Sequence, residues 1–141
     1  MTGTNAATVD AYFAAIRARD ADRLGALFTA DAELVTAAGT FRGPDAIAGF
    51  YRDLAFAVAD LWPDPGALLV DGDRIAVEIE LRMNGAVSPV CDVFTLRDGL
   101  ITRLVIYAGA PPRSGDDNPS AARWKLVRGR HKRRPPGGNS A

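Results

Sequence analysis

Apolar positions recur at helical spacing near the start of the chain and at alternate positions after residue 65. Val9, Tyr12, Phe13 and Ile16 fall at i, i+3, i+4 and i+7, with Asp10, Arg17 and Arg19 on the other side. That spacing predicts an amphipathic helix from about Ala6 to Arg19. A second, shorter helix is expected from Asp20, whose carboxylate can cap its first turn, through Leu24, Leu27 and Phe28. A short strand over 32–37 (AELVTA) follows. Gly43-Pro44-Asp45 then opens a third helix, with proline at the first helical position, where its missing N–H costs nothing. Ile47, Phe50, Tyr51, Leu54 and Val58 form its buried stripe.

Beyond Trp62-Pro63-Asp64-Pro65 the apolar period becomes 2. Strands are expected over 66–71, 74–83, 88–97 and 100–108, divided by turn signals at Asp71-Gly72-Asp73, Asn84-Gly85 and Asp98-Gly99. Helices first and hairpins afterwards argue for an α+β domain with helices on one face of an antiparallel-rich sheet. In 74–83, Ile75, Val77, Ile79, Leu81 and Met83 share one face, and Glu78, Glu80 and Arg82 share the other, a half-solvated strand. In 88–97 that order fails, because Asp92 falls among Val90, Phe94 and Leu96. A carboxylate on an apolar face must find a partner or hold a proton. Asp92 therefore has two readings: a structural residue paired with Arg103 or a backbone turn, or a general acid or base in a pocket. Cys91 faces the other way, as a packing residue. Tyr12, Tyr51 and Tyr107 each carry a hydroxyl that needs a partner if buried, and Trp62 beside its prolines is placed to line a pocket mouth.

The chain has 141 residues, the size of one domain. Its composition, 48% hydrophobic and 24% charged, is that of a globular protein. With one cysteine, Cys91, and one histidine, His131, neither a thiolate zinc site nor a Ser-His-Asp triad is expected. No glycine-rich phosphate or dinucleotide motif follows a candidate strand. No cofactor and no metal are expected, so any catalysis must run on carboxylates, tyrosines and hydroxyls. Neither a long apolar run nor a signal-peptide pattern is present, which predicts a cytoplasmic protein with no membrane association.

Charge divides the chain. Residues 1–112 hold nine arginines against fifteen acidic residues, and residues 113–141 hold eight basic against two acidic ones. The expected organisation is one domain over 1–112 and a flexible basic Pro/Gly/Arg-rich tail over 113–141. Nucleic acid is not an expected partner, since the acidic domain would repel phosphate.

The runs VDAYFAAIRARDADRLGALFTADAEL, FRGPDAIAGFYRDL and VCDVFTLRDGLITRLVIYAG resemble SnoaL-like and ketosteroid-isomerase-like proteins of the nuclear-transport-factor-two-like superfamily, in matching order over about residues 8–110. The resemblance implies a curved antiparallel-rich sheet and three helices around a conical cavity, commonly in a homodimer. It places Tyr12 and Asp92 where ketosteroid isomerases donate hydrogen bonds to a dienolate oxygen. Tyr51 takes the position of a supporting tyrosine, and Tyr107 that of a cavity-lining aromatic. The isomerase's base position is Thr36 here, and a threonine hydroxyl cannot abstract a carbon-bound proton at neutral pH. Against limonene epoxide hydrolases, Asp92 matches one aspartate, but the arginine and second aspartate positions are Val90 and Val105.

The function these readings imply is a cofactor-free cyclase or isomerase acting on a small hydrophobic, polyketide-like metabolite, as in antibiotic biosynthesis. Asp92 is its acid/base residue and Tyr12 its oxyanion-side donor. Tyr51, Trp62, Phe94, Tyr107 and Thr36 shape the cavity. Asp60 or Asp64 could supply a missing base, with plain solvent exposure as the competing reading. The alternatives are a non-catalytic ligand-binding or dimerisation module, and an epoxide-opening enzyme.

Overall fold

A computed structural model describes residues 2–109. Six strands form one curved, unclosed mixed sheet in the order β2-β1-β6-β5-β4-β3. They are β1 (Phe28–Thr36), β2 (Gly39–Arg42), β3 (Trp62–Asp71), β4 (Arg74–Met83), β5 (Ala86–Arg97) and β6 (Leu100–Ala108). The helices are α1 (Thr2–Ala18), α2 (Ala21–Gly25) and α3 (Pro44–Phe50), the last running on into a π-helical turn over Tyr51–Ala55. The α+β class with three helices is therefore as expected. All neighbouring strands run antiparallel except β1 and β6, which are parallel.

Two of the three long hairpins, β4–β5 and β5–β6, follow from their turns. Asn84 and Gly85 have φ of +55° and +78°, and Asp98 and Gly99 have +54° and +77°. Two successive left-handed residues give the tight turn whose twist matches flanking strands, which is why Asn-Gly and Asp-Gly mark these positions. Asp60 secures the first hairpin, its carboxylate accepting from the N–H groups of Asn84 (2.7 Å) and Gly85 (2.8 Å). At the second, Thr8 of α1 donates its hydroxyl to the Gly99 carbonyl at 2.6 Å.

Several boundaries differ from the sequence expectation for identifiable reasons. Asp20 caps α2 through the Arg23 N–H, as expected, but the helix ends at Gly25, so Leu27 and Phe28 lie outside it. Phe28 instead opens β1, four residues before the expected strand, because it pairs with Ile101 of β6. β2 had no local signal. It is a four-residue edge strand formed by pairing with β1. β3 begins at Trp62 rather than at residue 66. It is an edge strand, where prolines 63 and 65 need donate no ladder hydrogen bond, and its register shifts between Pro65 and Leu68. The third helix breaks its expected single stripe: at Tyr51 the pattern widens, and the Phe56 N–H donates to the Tyr51 carbonyl at 2.7 Å. Leu54 keeps a place on the inner side but stays exposed, at the rim of a cavity there.

The core lies between the helices and the inner sheet face. Val9, Tyr12, Phe13 and Ile16 of α1 are buried with Ile75, Val77, Phe94, Leu96, Ile101 and Leu104. Glu78 and Glu80 are exposed on the outer face, as their alternation predicted. The expected basic tail over 113–141 lies outside the described residues. Among the described residues, no helix is long and apolar enough to cross a membrane.

The two turn glycines separate backbone strain from crowding. A Cβ at Gly85 would meet nothing within 4 Å, whereas one at Gly99 would lie 2.8 Å from the Thr4 Cγ2. Gly85→Ala is expected to cost about 1–2 kcal/mol, the price of a left-handed L-residue. Gly99→Ala is expected to cost more, because the Thr4 side chain must also leave its rotamer or α1 must yield. Urea denaturation of both variants checks this, and equal losses would refute the crowding argument.

Candidate active site

A cavity of about 310 Å³ opens between α1, the α3–π segment and the inner faces of β4, β5 and β6. Its wall is apolar almost throughout, with Phe50, Val58, Leu61, Ile79, Leu81 and Ile106 supplying much of it. Four side chains bring polar atoms to that wall: Tyr12, Thr36, Tyr51 and Asp92. Asp92 is the only carboxyl group among the described lining residues.

Asp92 sits in the middle of the sheet, on β5, paired with Val77 of β4 and Ile106 of β6. Sheet parity turns its side chain inward with those of Val90 and Phe94, and the residue is 3% exposed. Its Oδ1 is buried with no hydrogen-bond partner among the described residues. Loss of hydration favours the neutral acid, and burial raises the carboxyl pKa to about 7. The alternative pairing with Arg103 does not occur. Arg103 lies opposite Thr95, and its guanidinium reaches Glu33 at 3.5 Å instead.

Tyr12 and Tyr51 meet hydroxyl to hydroxyl, brought together from α1 and the first residue of the π turn. One phenol donates to the other, which leaves the pair one O–H hydrogen for a third partner. Burial raises both phenol pKa values, and the nearby Asp92 charge would raise them further, so both stay protonated. The Tyr12 ring is fixed edge-on by Phe13 and Phe94, each at 5.1 Å between centroids. A carboxyl that can gain or lose a proton near neutrality thus shares an apolar cavity with a hydrogen-bond donor that does not ionise.

Residues 9–104 match the SnoaL-like domain. The chain belongs to the SnoaL-like family. A protein from Sinorhizobium meliloti named as a polyketide cyclase is 30% identical, with a TM-score of 0.63 over 70% of this chain and 92% of its own. A protein of ketosteroid isomerase-like fold from Catenulispora acidiphila, solved in complex with trimethylamine, is 25% identical, with a TM-score of 0.65 over 71% of this chain and 83% of its own. A Kribbella flavida protein named as a ketosteroid isomerase shares the fold at 20% identity, with a TM-score of 0.69 over 82% and 87% of the two chains. No curated protein matches the sequence.

The structure of this SnoaL-like protein places the other expected site residues differently. Thr36 lines the cavity, but its hydroxyl donates to the Gly39 carbonyl (3.2 Å) and accepts from the Ala38 N–H (3.0 Å) in the β1–β2 turn. Phe94 is a correction: it does not line the cavity but backs Tyr12 from the core. Tyr107 is a second correction, since it pairs with Cys91 on the outer face and is 59% exposed. Trp62 is a third. It is 46% exposed outside the cavity, with the Arg17 guanidinium 5.4 Å from its ring centroid. Asp60 and Asp64 also stand outside this cavity, and Asp60 is occupied by the hairpin turn. Ile106 and Ala108 were the lining residues that parity could have found, because Ile106 pairs with Asp92 and Ala108 with Val90.

Family membership leaves the physics of Asp92 to be measured. Its carboxyl pKa is about 7 in the folded protein and about 4 in an ordinary unfolded chain. The folded state therefore binds the proton more tightly. The stability this gives is fully present below about pH 4 and is lost as pH rises through 7. At about 1.4 kcal/mol per pKa unit the loss amounts to a few kcal/mol. Asp92→Asn, which cannot ionise, is expected to gain in melting temperature relative to the wild type between pH 4.5 and pH 8. A constant difference across that range would show that Asp92 ionises normally.

Proposed function

We propose that the protein is a cofactor-free cyclase or isomerase of a small hydrophobic, polyketide-like carbonyl compound. The observation that carries this reading is the single buried carboxyl of Asp92 in an apolar cavity beside the Tyr12–Tyr51 pair. A group with a pKa near 7 is well matched to proton transfer at neutral pH. The ionised carboxylate removes a proton from the carbon next to the substrate carbonyl and becomes the acid. The carbonyl oxygen gains negative charge and accepts the free O–H of the tyrosine pair, a preformed donor in a water-poor site. In an isomerisation, Asp92 returns the proton to another carbon. In a cyclisation, the enolate carbon bonds to a second carbonyl carbon, and Asp92 protonates the alkoxide that forms. Either route leaves Asp92 in its starting state and needs no redox partner.

The polyketide cyclase name of the Sinorhizobium meliloti relative supports this class of reaction. The second reading is a ligand-binding module, favoured by the commitment of the Thr36 hydroxyl to a turn. The trimethylamine bound to the Catenulispora acidiphila relative supports capture of small molecules by this fold. Epoxide opening has less support, because its second aspartate position, Val105, is absent from the cavity wall. We include the homodimer in the proposal. Strand register puts Trp62, Leu69, Val87 and Tyr107 on the outer sheet face, and all four are exposed. A cytoplasmic location is proposed with it.

Hydrogen–deuterium exchange at the α-carbons of 2-tetralone, followed by NMR, tests the chemistry without the native substrate. Wild-type protein is expected to accelerate exchange with an inflection near pH 7. Asp92→Asn should lose roughly 10²–10⁴-fold of the acceleration, and Tyr12→Phe about 10²-fold. Equal exchange by wild type and Asp92→Asn would leave the binding module as the better reading. For the dimer, sedimentation equilibrium should show two copies for the wild type and one for Leu69→Lys/Val87→Lys. A wild-type monomer at all concentrations refutes it.

A further inference from the structure

Arg19 closes α1 with a φ of +55°, the left-handed conformation that glycine or asparagine usually supplies at a helix end. Its N–H donates to the Ile16 carbonyl and that of Asp20 to the Ala15 carbonyl, both at 3.0 Å, so the chain turns sharply here. An arginine in that conformation is unfavourable locally, and what the side chain does offsets it. Nη1 donates to the Phe56 carbonyl at 2.9 Å. Nη2 lies 3.1 Å from the Val58 carbonyl, 2.9 Å from that of Ala59 and 3.4 Å from that of Leu61. The guanidinium also lies 5.8 Å from the Phe56 ring centroid.

Segment 56–61 has few backbone bonds of its own: besides the Phe56 N–H to the Tyr51 carbonyl, the Val58 N–H to the Ala55 carbonyl and the Leu61 N–H to the Val58 carbonyl. It follows the π turn, where helical carbonyls lose their intrahelical donors, and precedes β3, where ladder pairing starts. The same segment supplies Val58 and Leu61 to the cavity wall, flanked by Ala55 and Pro63. Arg17, two residues earlier in the last turn of α1, holds the next stretch by donating to the Pro63 carbonyl at 3.3 Å.

We propose that Arg19 is a positioning residue of the cavity: its guanidinium holds segment 56–61 in place as a wall, and the cavity's affinity for an apolar ligand depends on that hold. The proposal rests on the reading of this cavity as the substrate site. Arg19 touches no reacting atom. It acts through the four carbonyls, by keeping Val58 and Leu61 against the ligand. A planar fork with several donors suits this task better than a lysine ammonium.

The test uses full-length protein and 2-naphthol, whose fluorescence reports binding in a dry pocket. Arg19→Gly relieves the backbone strain while removing the side chain, so its melting temperature should stay within a few degrees of wild type. Its affinity for 2-naphthol is expected to fall about 5-fold or more. Amide hydrogen exchange in 57–61 should accelerate about tenfold while that of β4 and β5 stays unchanged. Arg19→Asn, which also tolerates the left-handed region, carries the same expectation should the glycine variant not fold. Arg19→Lys should recover part of the lost affinity. Wild-type affinity or unchanged exchange in the glycine and asparagine variants overturns the role of Arg19 alone. A wild-type protein that takes no 2-naphthol overturns the cavity reading beneath it.

Discussion

A carboxyl group without a hydrogen-bond partner among the described residues, on the inner face of a central strand, is the constraint around which this domain is arranged. Asp92 has ladder neighbours on both sides, Val77 and Ile106, and apolar neighbours along its own strand, Val90 and Phe94. Ionising it there without compensation is costly. The fold tolerates it because the proton is retained to about pH 7, which replaces a buried charge by a buried neutral dipole. An arginine beside it would restore an ordinary acidic carboxylate. The arginine of β6, Arg103, is turned to the outer face and to Glu33 instead. The segregation of charge to the outer face and apolar groups to the inner one is therefore what gives Asp92 its chemistry.

Helix α1 connects that constraint to the rest of the site. Near its start Thr8 ties it to the β5–β6 turn. In its middle Tyr12 faces the cavity with Phe13 and Phe94 packed edge-on against its ring. At its end Arg19 reaches the segment that leads into β3, and Arg17 reaches Pro63 at the start of that strand. The π turn makes the complementary adjustment from the other wall. By widening the helix at Tyr51 it sets that hydroxyl against Tyr12, while Leu54 comes to the exposed rim of the cavity. Donor, acid and wall are held by separate elements, and α1 is packed against or bonded to several of them.

What the sequence made legible was whatever depends on local period. The strands 74–83 and 100–108 have the limits that alternation predicts, and the anomaly at Asp92 is visible because a period of 2 leaves no doubt about its face. Tyr12 was legible through its helical stripe. β2 was not, since a four-residue edge strand owes its form to β1 rather than to its own side chains. Tyr107 and Trp62 were misplaced for another reason. Aromatic character points to a pocket only when register is known, and the pairing of Tyr107 with Cys91 turns it outward. Arg19 read as one more charge on a solvated helix face, because the carbonyls it gathers lie about forty positions away in the chain.

The absence of a second carboxyl among the described lining residues shapes the proposed chemistry further. Where two acids flank a substrate, one can take a proton while the other delivers one. Here Thr36 holds its hydroxyl in a turn, and the tyrosine pair stays protonated, so only Asp92 can change its protonation state near neutrality. On the proposed reading, removal and return of the proton then pass through one group, from one side of the substrate. Such a group works best when neither form is strongly favoured, which is the condition that burial to a pKa of about 7 provides at neutral pH. A stronger base would also be a weaker acid in the return step. The same desolvation that makes Asp92 awkward for the fold therefore balances it between its two tasks, and the apolar wall that creates the desolvation is also the surface that would hold a hydrophobic substrate.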